Sequence, residues 1–155
     1  MQTYQAEHPI GELVPHPANP NQGDVGAIHE SIETNGWYGA VIAQHSTRYI
    51  LAGHHRIIAA QHSDMQSVPV ILLDCDDATA LRILLGDNRI AALAATNSEH
   101  LAETLTQLAA TGDLAGTGYD TADLDELLTQ LTQDPLPVAA KTVTCPECGH
   151  QWAGK

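Results

Sequence analysis

The sequence predicts an α+β domain with a small mixed β-sheet, surrounding helices and a helical C-terminal half. Two stretches, AVIAQ and RYILA, flank a polar turn and are typical of a β-hairpin. A third stretch, SVPVILLD, is apolar and β-rich, which indicates a buried strand. Beyond residue 75 the apolar residues recur mainly at helical spacing, so the second half is predicted to be helical.

The first half of the chain is predicted to alternate helices with strands. Residues 9–23 hold four prolines and two glycines and predict an irregular loop. Asp24 is a typical N-cap and Gly36 a typical helix stop, with apolar residues at helical spacing between them. The elements that follow are strands over 40–44 and 48–52, a helix over 54–62 and a strand over 67–74.

Helix caps and breaks punctuate the second half. Asp76 and Asp77 predict the start of a helix through ALRILL that is broken at Gly86. A further helical piece is predicted over 87–95. Two amphipathic helices follow, the first capped by Asn97 or Ser98 and the second by Thr121.

These elements predict four regions. Residues 1–95 form the core domain, 96–131 a helical extension, 132–144 a linker, and 145–155 a short tail that is similar to part of a zinc ribbon. The tail contains the ligand types of a zinc knuckle, Cys145, Cys148 and His150. A structural zinc site requires four ligands, so either two chains share a Zn²⁺ ion or the motif is a weakly binding remnant or an unstructured tail.

The net negative charge of the chain limits the kinds of partner that it can bind. The formal net charge is −13, with 19 acidic and 6 basic residues, and a protein that grips duplex DNA through its phosphates needs a basic face. All four arginines nevertheless lie within residues 48–89, which favours a local cationic pocket for a small anion over ordinary surface positions. No membrane-spanning run and no signal peptide are recognisable, so a cytoplasmic location is expected.

The stretch Gly53-His54-His55-Arg56 lies where a strand passes into a helix. Free backbone N–H groups and the positive end of the helix dipole favour anion binding there, and Arg56 can pair with phosphate oxygens. Adjacent helical residues point about 100° apart, so the two histidines do not easily share a metal ion. The remaining histidines show no spacing that suggests a cluster.

A second candidate is Asp87-Asn88-Arg89. A carboxylate beside an amide can hold a hydrated Mg²⁺ ion that bridges phosphate oxygens, and Arg89 can neutralise developing charge. The alternative is that Asp87 and Asn88 only cap the start of a helix.

Together these segments resemble the ParB/sulfiredoxin superfamily, in particular its ParB-like nuclease domain of phage or mobile-element type. The similar segments are, in family order, LVPHPANPNQ, AIHESIETNGWYGAVIA, AGHHRIIAA, SVPVILLD and LLGDNRIAALA. The resemblance implies a phosphate- or nucleotide-binding site formed by Asn19, Gly53, His54, His55, Arg56, Asn88 and Arg89. It also implies Mg²⁺ at Asp87 and Asn88, with His54, His55 and Asp87 as catalytic candidates.

Two departures from the family pattern narrow the chemistry. Asn21 stands where the first motif of the family has arginine, so one cationic contact is missing. His54 stands where sulfiredoxins have their catalytic cysteine, which argues against sulfinic-acid reduction. From the 155 residues we also expect that the chain does not hold both the helix-turn-helix domain and the dimerising tail of chromosome-partition members.

The resemblance leaves several functions open. The first is a module that binds CTP or ATP with Mg²⁺ and couples this to DNA or to a partner protein, with a homodimer as the expected assembly. The second is a nuclease, and the third is a small-molecule phosphotransferase in which His54 or an acidic residue acts as base. A catalytically inactive binding or adaptor protein is the remaining alternative.

Overall fold

The computed structural model describes residues 1–133, 142–144 and 151–153. A four-stranded mixed sheet has the order β1-β4-β2-β3, built from β1 (Gln2–Pro9), β2 (Val41–Gln44), β3 (Ile50–Ala52) and β4 (Ser67–Asp74). β1 pairs antiparallel with β4, β4 runs parallel to β2, and β2 forms an antiparallel hairpin with β3. The predicted mixed sheet is therefore confirmed. Its longest strands, β1 and β4, each have eight residues.

In the part of the chain that the structure describes, the α-helices are α1 (Val25–Asn35), α2 (His54–His62), α3 (Asp77–Ala92), α4 (Ser98–Thr111) and α5 (Thr121–Gln133). Residues beyond 133 include a strand pair, β5 (Thr142–Thr144) with β6 (Gln151–Ala153). Cys145, Cys148 and His150 lie outside the described residues, and most of the predicted linker does too. No helix in the described part of the chain has both the length and the apolar character needed to cross a membrane.

The sheet is covered on both faces because its strands alternate their side chains. On one face Val41, Ile50 and Val70 pack with Ile57 of α2 in the main core cluster. On the other face Leu51 and Leu73 pack against Ala80 of α3. The sheet therefore lies between α2 and α3. α1 packs on α2.

The C-terminal helices form a further apolar cluster. Leu105 of α4 and Leu124 of α5 pack around Leu114 from the loop between these helices. The same loop is attached to α1, since Asn35 Nδ2 donates to the Gly116 carbonyl (3.0 Å) and Glu30 accepts from the Gly116 N–H (3.1 Å).

Several sequence predictions were wrong in detail. Gly86 does not break the helix, because α3 runs continuously from Asp77 to Ala92 and absorbs most of the separately predicted piece over 87–95. The last helix is capped by Asp120 rather than Thr121: Asp120 Oδ1 accepts from the Asp123 N–H (2.8 Å), and Asp123 accepts in return from the Asp120 N–H (2.9 Å).

Two further differences concern the strands. β1 was not predicted, and the loop predicted over 9–23 begins with a single 3-10 turn at Ile10–Glu12. β3 starts at Ile50 instead of residue 48, because Arg48 has a φ of 62° and occupies the turn that precedes the strand.

Candidate phosphate-binding site

Three segments far apart in the sequence meet at the N-terminus of α2. They line a cleft of about 170 Å³, which we call the α2 cleft. Its polar lining consists of Asn19, Asn21, Gly53, His54, His55, Arg56, Asp87 and Asn88, while Ile28, Leu51 and Ala52 supply apolar surface. The structure thus brings together every predicted phosphate-site residue except Arg89, which is exposed and is not part of the lining.

Gly53 is the N-cap of α2 and has a φ of 95°, a left-handed conformation that glycine adopts without strain. A Cβ at this position would lie 3.3 Å from Val41 Cγ2 of the neighbouring strand. Glycine also has no side chain to cap the helix, so within the described residues the N–H groups of the first turn are left available to a ligand. An anion at this end is further stabilised by the helix dipole.

Arg56 supplies the positive charge of the cleft. Its Nη1 donates to the Ala40 carbonyl at 3.3 Å, which orients the guanidinium, and its other N–H groups can serve a phosphate. The cleft carries less positive charge than the prediction of a cationic pocket implied, because Arg56 alone among the four arginines lines it. Arg82 is exposed on α3 and donates to its own helix at Thr79 Oγ1 (2.8 Å).

The two histidines hold the loop that precedes α1. His54 Nε2 accepts from the His16 N–H at 3.1 Å, and His55 Nε2 accepts from the Gly23 N–H at 2.9 Å. Because Nε2 of each ring is the acceptor, Nδ1 is the ring nitrogen that can act as a donor in this arrangement. Burial lowers the pKa of His54, and the neighbouring His55 and His16 lower it further.

The close approach of Gly23 to His55 explains why this position has no side chain. A Cβ there would lie 2.8 Å from His55 Nδ1 and 2.9 Å from its Cγ. These contacts between the loop and α2 were not predicted. Both donors are backbone N–H groups, of His16 and Gly23, and nothing in the sequence links those positions to His54 and His55.

Asn21 and Asn88 connect the loop to α3. Asn21 Nδ2 donates to Asn88 Oδ1 at 3.1 Å, and Asn88 Nδ2 donates to Asn19 Oδ1 at 3.3 Å. Asn21, which stands where the family pattern has arginine, thus carries an amide that positions Asn88. The alternative interpretation of Asp87 and Asn88 as a helix-start cap is wrong, because both lie inside α3, ten or more residues after its N-cap at Asp76.

Two larger cavities adjoin the α2 cleft. One, of about 370 Å³, shares Ile28 and Arg56 with it and is also lined by Trp37 and Tyr38. The other, of about 270 Å³, shares Asn19, His54 and His55 with the cleft and continues toward Leu13 and Ile58. A ligand that places an anionic group in the cleft can therefore extend to either side.

Among the described residues there is no group of three or more His, Cys, Asp or Glu side chains that could hold a metal ion. Of the described residues that line the α2 cleft, Asp87 alone is a carboxylate, and it is exposed.

Comparison with known proteins identifies the family. The model of the ParB N-terminal domain matches residues 9–89, just over half of the chain and all three segments of the cleft. The chain belongs to the ParB N-terminal domain family. Its relatives include the ParB-like nuclease domain-containing protein YnaK of Escherichia coli (strain K12), which is 38% identical over 68 residues that cover 42% of this chain and 77% of YnaK.

Solved ParB structures share the fold. The C-terminally truncated chromosome-partitioning protein ParB from Caulobacter crescentus, complexed with CTP-γ-S, superposes with a TM-score of 0.68 at 20% identity. That match covers 85% of this chain and 81% of the Caulobacter chain. A Pnob8-like ParB-N domain has a TM-score of 0.51 at 13% identity and covers 86% of this chain and 63% of its own.

Proposed function

We propose that this ParB-family chain binds a nucleoside triphosphate, with Mg²⁺, in the α2 cleft and uses that binding in a DNA-related process. The observation that carries the proposal is the convergence of residues 19–21, 53–56 and 87–88 on one cleft at a helix N-terminus. Similarity to a ParB that was crystallised with CTP-γ-S makes CTP the first nucleotide to test and ATP the second.

The size of the cleft suits the phosphates rather than a whole nucleotide. Its volume of about 170 Å³ is below the range of roughly 300–1,000 Å³ typical of small-molecule sites. The phosphates would accept hydrogen bonds from the first-turn N–H groups of α2 and from Arg56, with Asn19 and Asn88 as further donors. The nucleoside would then extend into one of the two adjoining cavities.

The residues present fit a magnesium ion that arrives with the nucleotide. Mg²⁺ keeps several water ligands and is commonly held by one or two carboxylates together with substrate phosphates. Asp87 would supply such a carboxylate at the edge of the cleft. Asn88 also lines the cleft, and its Oδ1 accepts from Asn21 Nδ2 at 3.1 Å, so Asn88 would hold the ion directly only after releasing that hydrogen bond. Bound there, the ion would neutralise phosphate charge that Arg56 alone cannot balance.

The histidines are better suited to positioning than to proton transfer. The Nε2 lone pair of each ring already accepts a backbone N–H, so using either ring as a general base through Nε2 would break its contact with the loop. Their Nδ1–H groups remain available as donors to a phosphate. If phosphoryl transfer or hydrolysis occurs, Asp87 is the cleft carboxylate that could act as its base.

A nucleotide titration tests the proposal. We would measure binding of CTP, ATP, GTP and UTP by isothermal titration calorimetry with Mg²⁺ for wild type, Arg56→Ala and Arg82→Ala. Arg56→Ala is expected to weaken binding at least about tenfold, or ~1.4 kcal/mol, whereas Arg82→Ala, which removes the same charge outside the cleft, should stay within about twofold. No binding by any of the four nucleotides, or equal losses in both variants, would refute the site.

A further inference from the structure

A groove between α4 and α5 is separate from the α2 cleft. It has a volume of about 510 Å³ and an apolar floor that includes Ala102, Leu128 and Leu131. Glu99 and Glu103 line the groove one helical turn apart on α4, and Ala102 and Thr106 share that face. The groove therefore combines an apolar floor with an acidic rim.

The apolar stripe of α5 is only partly used by the fold. Leu124, near the start of the helix, is buried with 9% of its surface exposed and packs against Leu105 and Leu114. Leu128, one turn later, is 41% exposed and faces the groove. The second half of the stripe thus presents apolar surface that the described residues leave accessible.

The negative charge of α4 and α5 limits which kind of molecule can bind the groove. Residues 96–133 contain no Lys or Arg, and their acidic residues are Glu99, Glu103, Asp113, Asp120, Asp123, Asp125 and Glu126. A second copy of this chain carries a formal net charge of −13, so it would be repelled. Nucleic acid is excluded for the same reason. The chain's own residues 134–155 balance Asp134 and Glu147 against Lys141 and Lys155 and offer no cationic excess.

We propose that the α4–α5 groove docks an amphipathic helical segment, rich in Lys or Arg, of a partner protein. Its leucines would cover Leu128 and Leu131, in the manner of an apolar helix face in a groove. Its basic side chains would meet Glu99 and Glu103 at the rim, where such pairs contribute mainly to specificity and association rate. This inference is independent of nucleotide binding at the α2 cleft.

A designed peptide tests the groove directly. The probe is a fluorescein-labelled helical peptide with leucines at alternating spacings of three and four and lysines elsewhere, titrated with the full chain and read by anisotropy. Controls are a scrambled peptide of the same composition and a peptide with glutamate in place of lysine. We expect binding of the first peptide alone, together with NMR shift changes centred on the groove.

Two matched double variants separate the groove from bulk charge. Glu99→Lys/Glu103→Lys should weaken peptide binding at least tenfold, while Glu7→Lys/Glu33→Lys, with the same charge change on exposed positions elsewhere, should weaken it no more than about twofold. Equal loss in both, or equal binding of the scrambled peptide, would overturn the proposal. So would NOEs from the Leu128 methyls to residues beyond 133, or a dimer broken by Leu128→Gln, since these would reveal another occupant.

Discussion

At the scale of single residues, the paired histidines at the start of α2 act as acceptors for the loop before α1. Helix geometry alone argued against a shared metal ion, and the sequence therefore pointed to a phosphate site. It could not show that His54 and His55 each accept a backbone N–H from residues 38 and 32 positions earlier. Such contacts depend on where the chain returns in space, which no local spacing encodes.

Protonation of His54 is expected to destabilise the protein. Its pKa is lowered in the folded state, chiefly by burial, so below the ordinary value of 6.5 the unfolded chain binds more protons than the folded one. The free energy of unfolding should therefore fall as pH drops through 6.5 toward the lower folded pKa. Urea unfolding between pH 7.5 and 5.5 measures this slope.

The substitution His54→Gln isolates that contribution. Glutamine does not titrate, yet its carbonyl oxygen can still accept from the His16 N–H, so the slope of stability against pH should be shallower than in wild type. Position 54 is the one difference between the two proteins, so the difference between their slopes reports the contribution of His54 together with its effect on its neighbours. Identical slopes would mean that His54 does not carry the pH dependence.

At the scale of secondary structure, the elements with strong local patterns were predicted to the residue. α2 and β4 have the predicted bounds, and Asp24 is the predicted cap of α1. Two candidates were named for each of α3 and α4, and the caps are Asp76 and Asn97. All three cap side chains accept an N–H three residues on. β1 was missed because it is an edge strand whose described side chains are mostly exposed, so it lacks apolar alternation. Its place is determined by the free edge of β4, which its own sequence does not reveal.

At Gly86 the sequence predicted a helix break that the structure does not have, because α3 continues through this residue. Glycine lowers helix stability by roughly 0.5–1 kcal/mol relative to alanine, but packing of α3 on the sheet outweighs this. A Cβ at Gly86 would meet nothing within 4 Å. Gly86→Ala should therefore raise the free energy of unfolding in urea by about 0.5–1 kcal/mol.

Gly118→Ala is the matched control for that substitution. It also has open space around the added methyl group, but its φ of 79° is left-handed, so the same change should lower stability by about 1–2 kcal/mol. A loss of stability in Gly86→Ala would indicate that α3 is not a regular helix at this position.

At the scale of the whole molecule, the sequence predicted which segments would meet better than it predicted the charges on the surface that they form. All three segments of the α2 cleft were identified from the sequence, whereas Asn21 was counted only as a lost cation. The expected cationic pocket contains one arginine, because clustering of arginines within residues 48–89 does not place their side chains on one surface. A single arginine in a chain of net charge −13 suits a small phosphate ligand accompanied by a cation.

The same charge predicts that the isolated chain does not bind duplex DNA directly. Affinity of this kind comes mainly from Lys and Arg neutralising phosphates, and non-specific binders reach dissociation constants of roughly 10⁻⁴–10⁻⁶ M at physiological salt. We expect weaker binding than this to a 24-bp duplex at about 150 mM salt, with or without CTP and Mg²⁺, in a fluorescence anisotropy titration. Contact with DNA would then require a partner protein, whereas micromolar affinity that falls with added salt would contradict the prediction.

Plasmid nicking provides the companion measurement, because a nuclease must engage the backbone at least transiently. We expect no Mg²⁺-dependent conversion of supercoiled plasmid to the nicked form by the pure chain. Nicking that is lost in Asp87→Ala but kept in Asp125→Ala, an exposed carboxylate on α5, would assign the α2 cleft to phosphodiester hydrolysis. Nicking kept in both variants would instead indicate a contaminating enzyme, because neither carboxylate would then be required and only Asp87 lines the cleft.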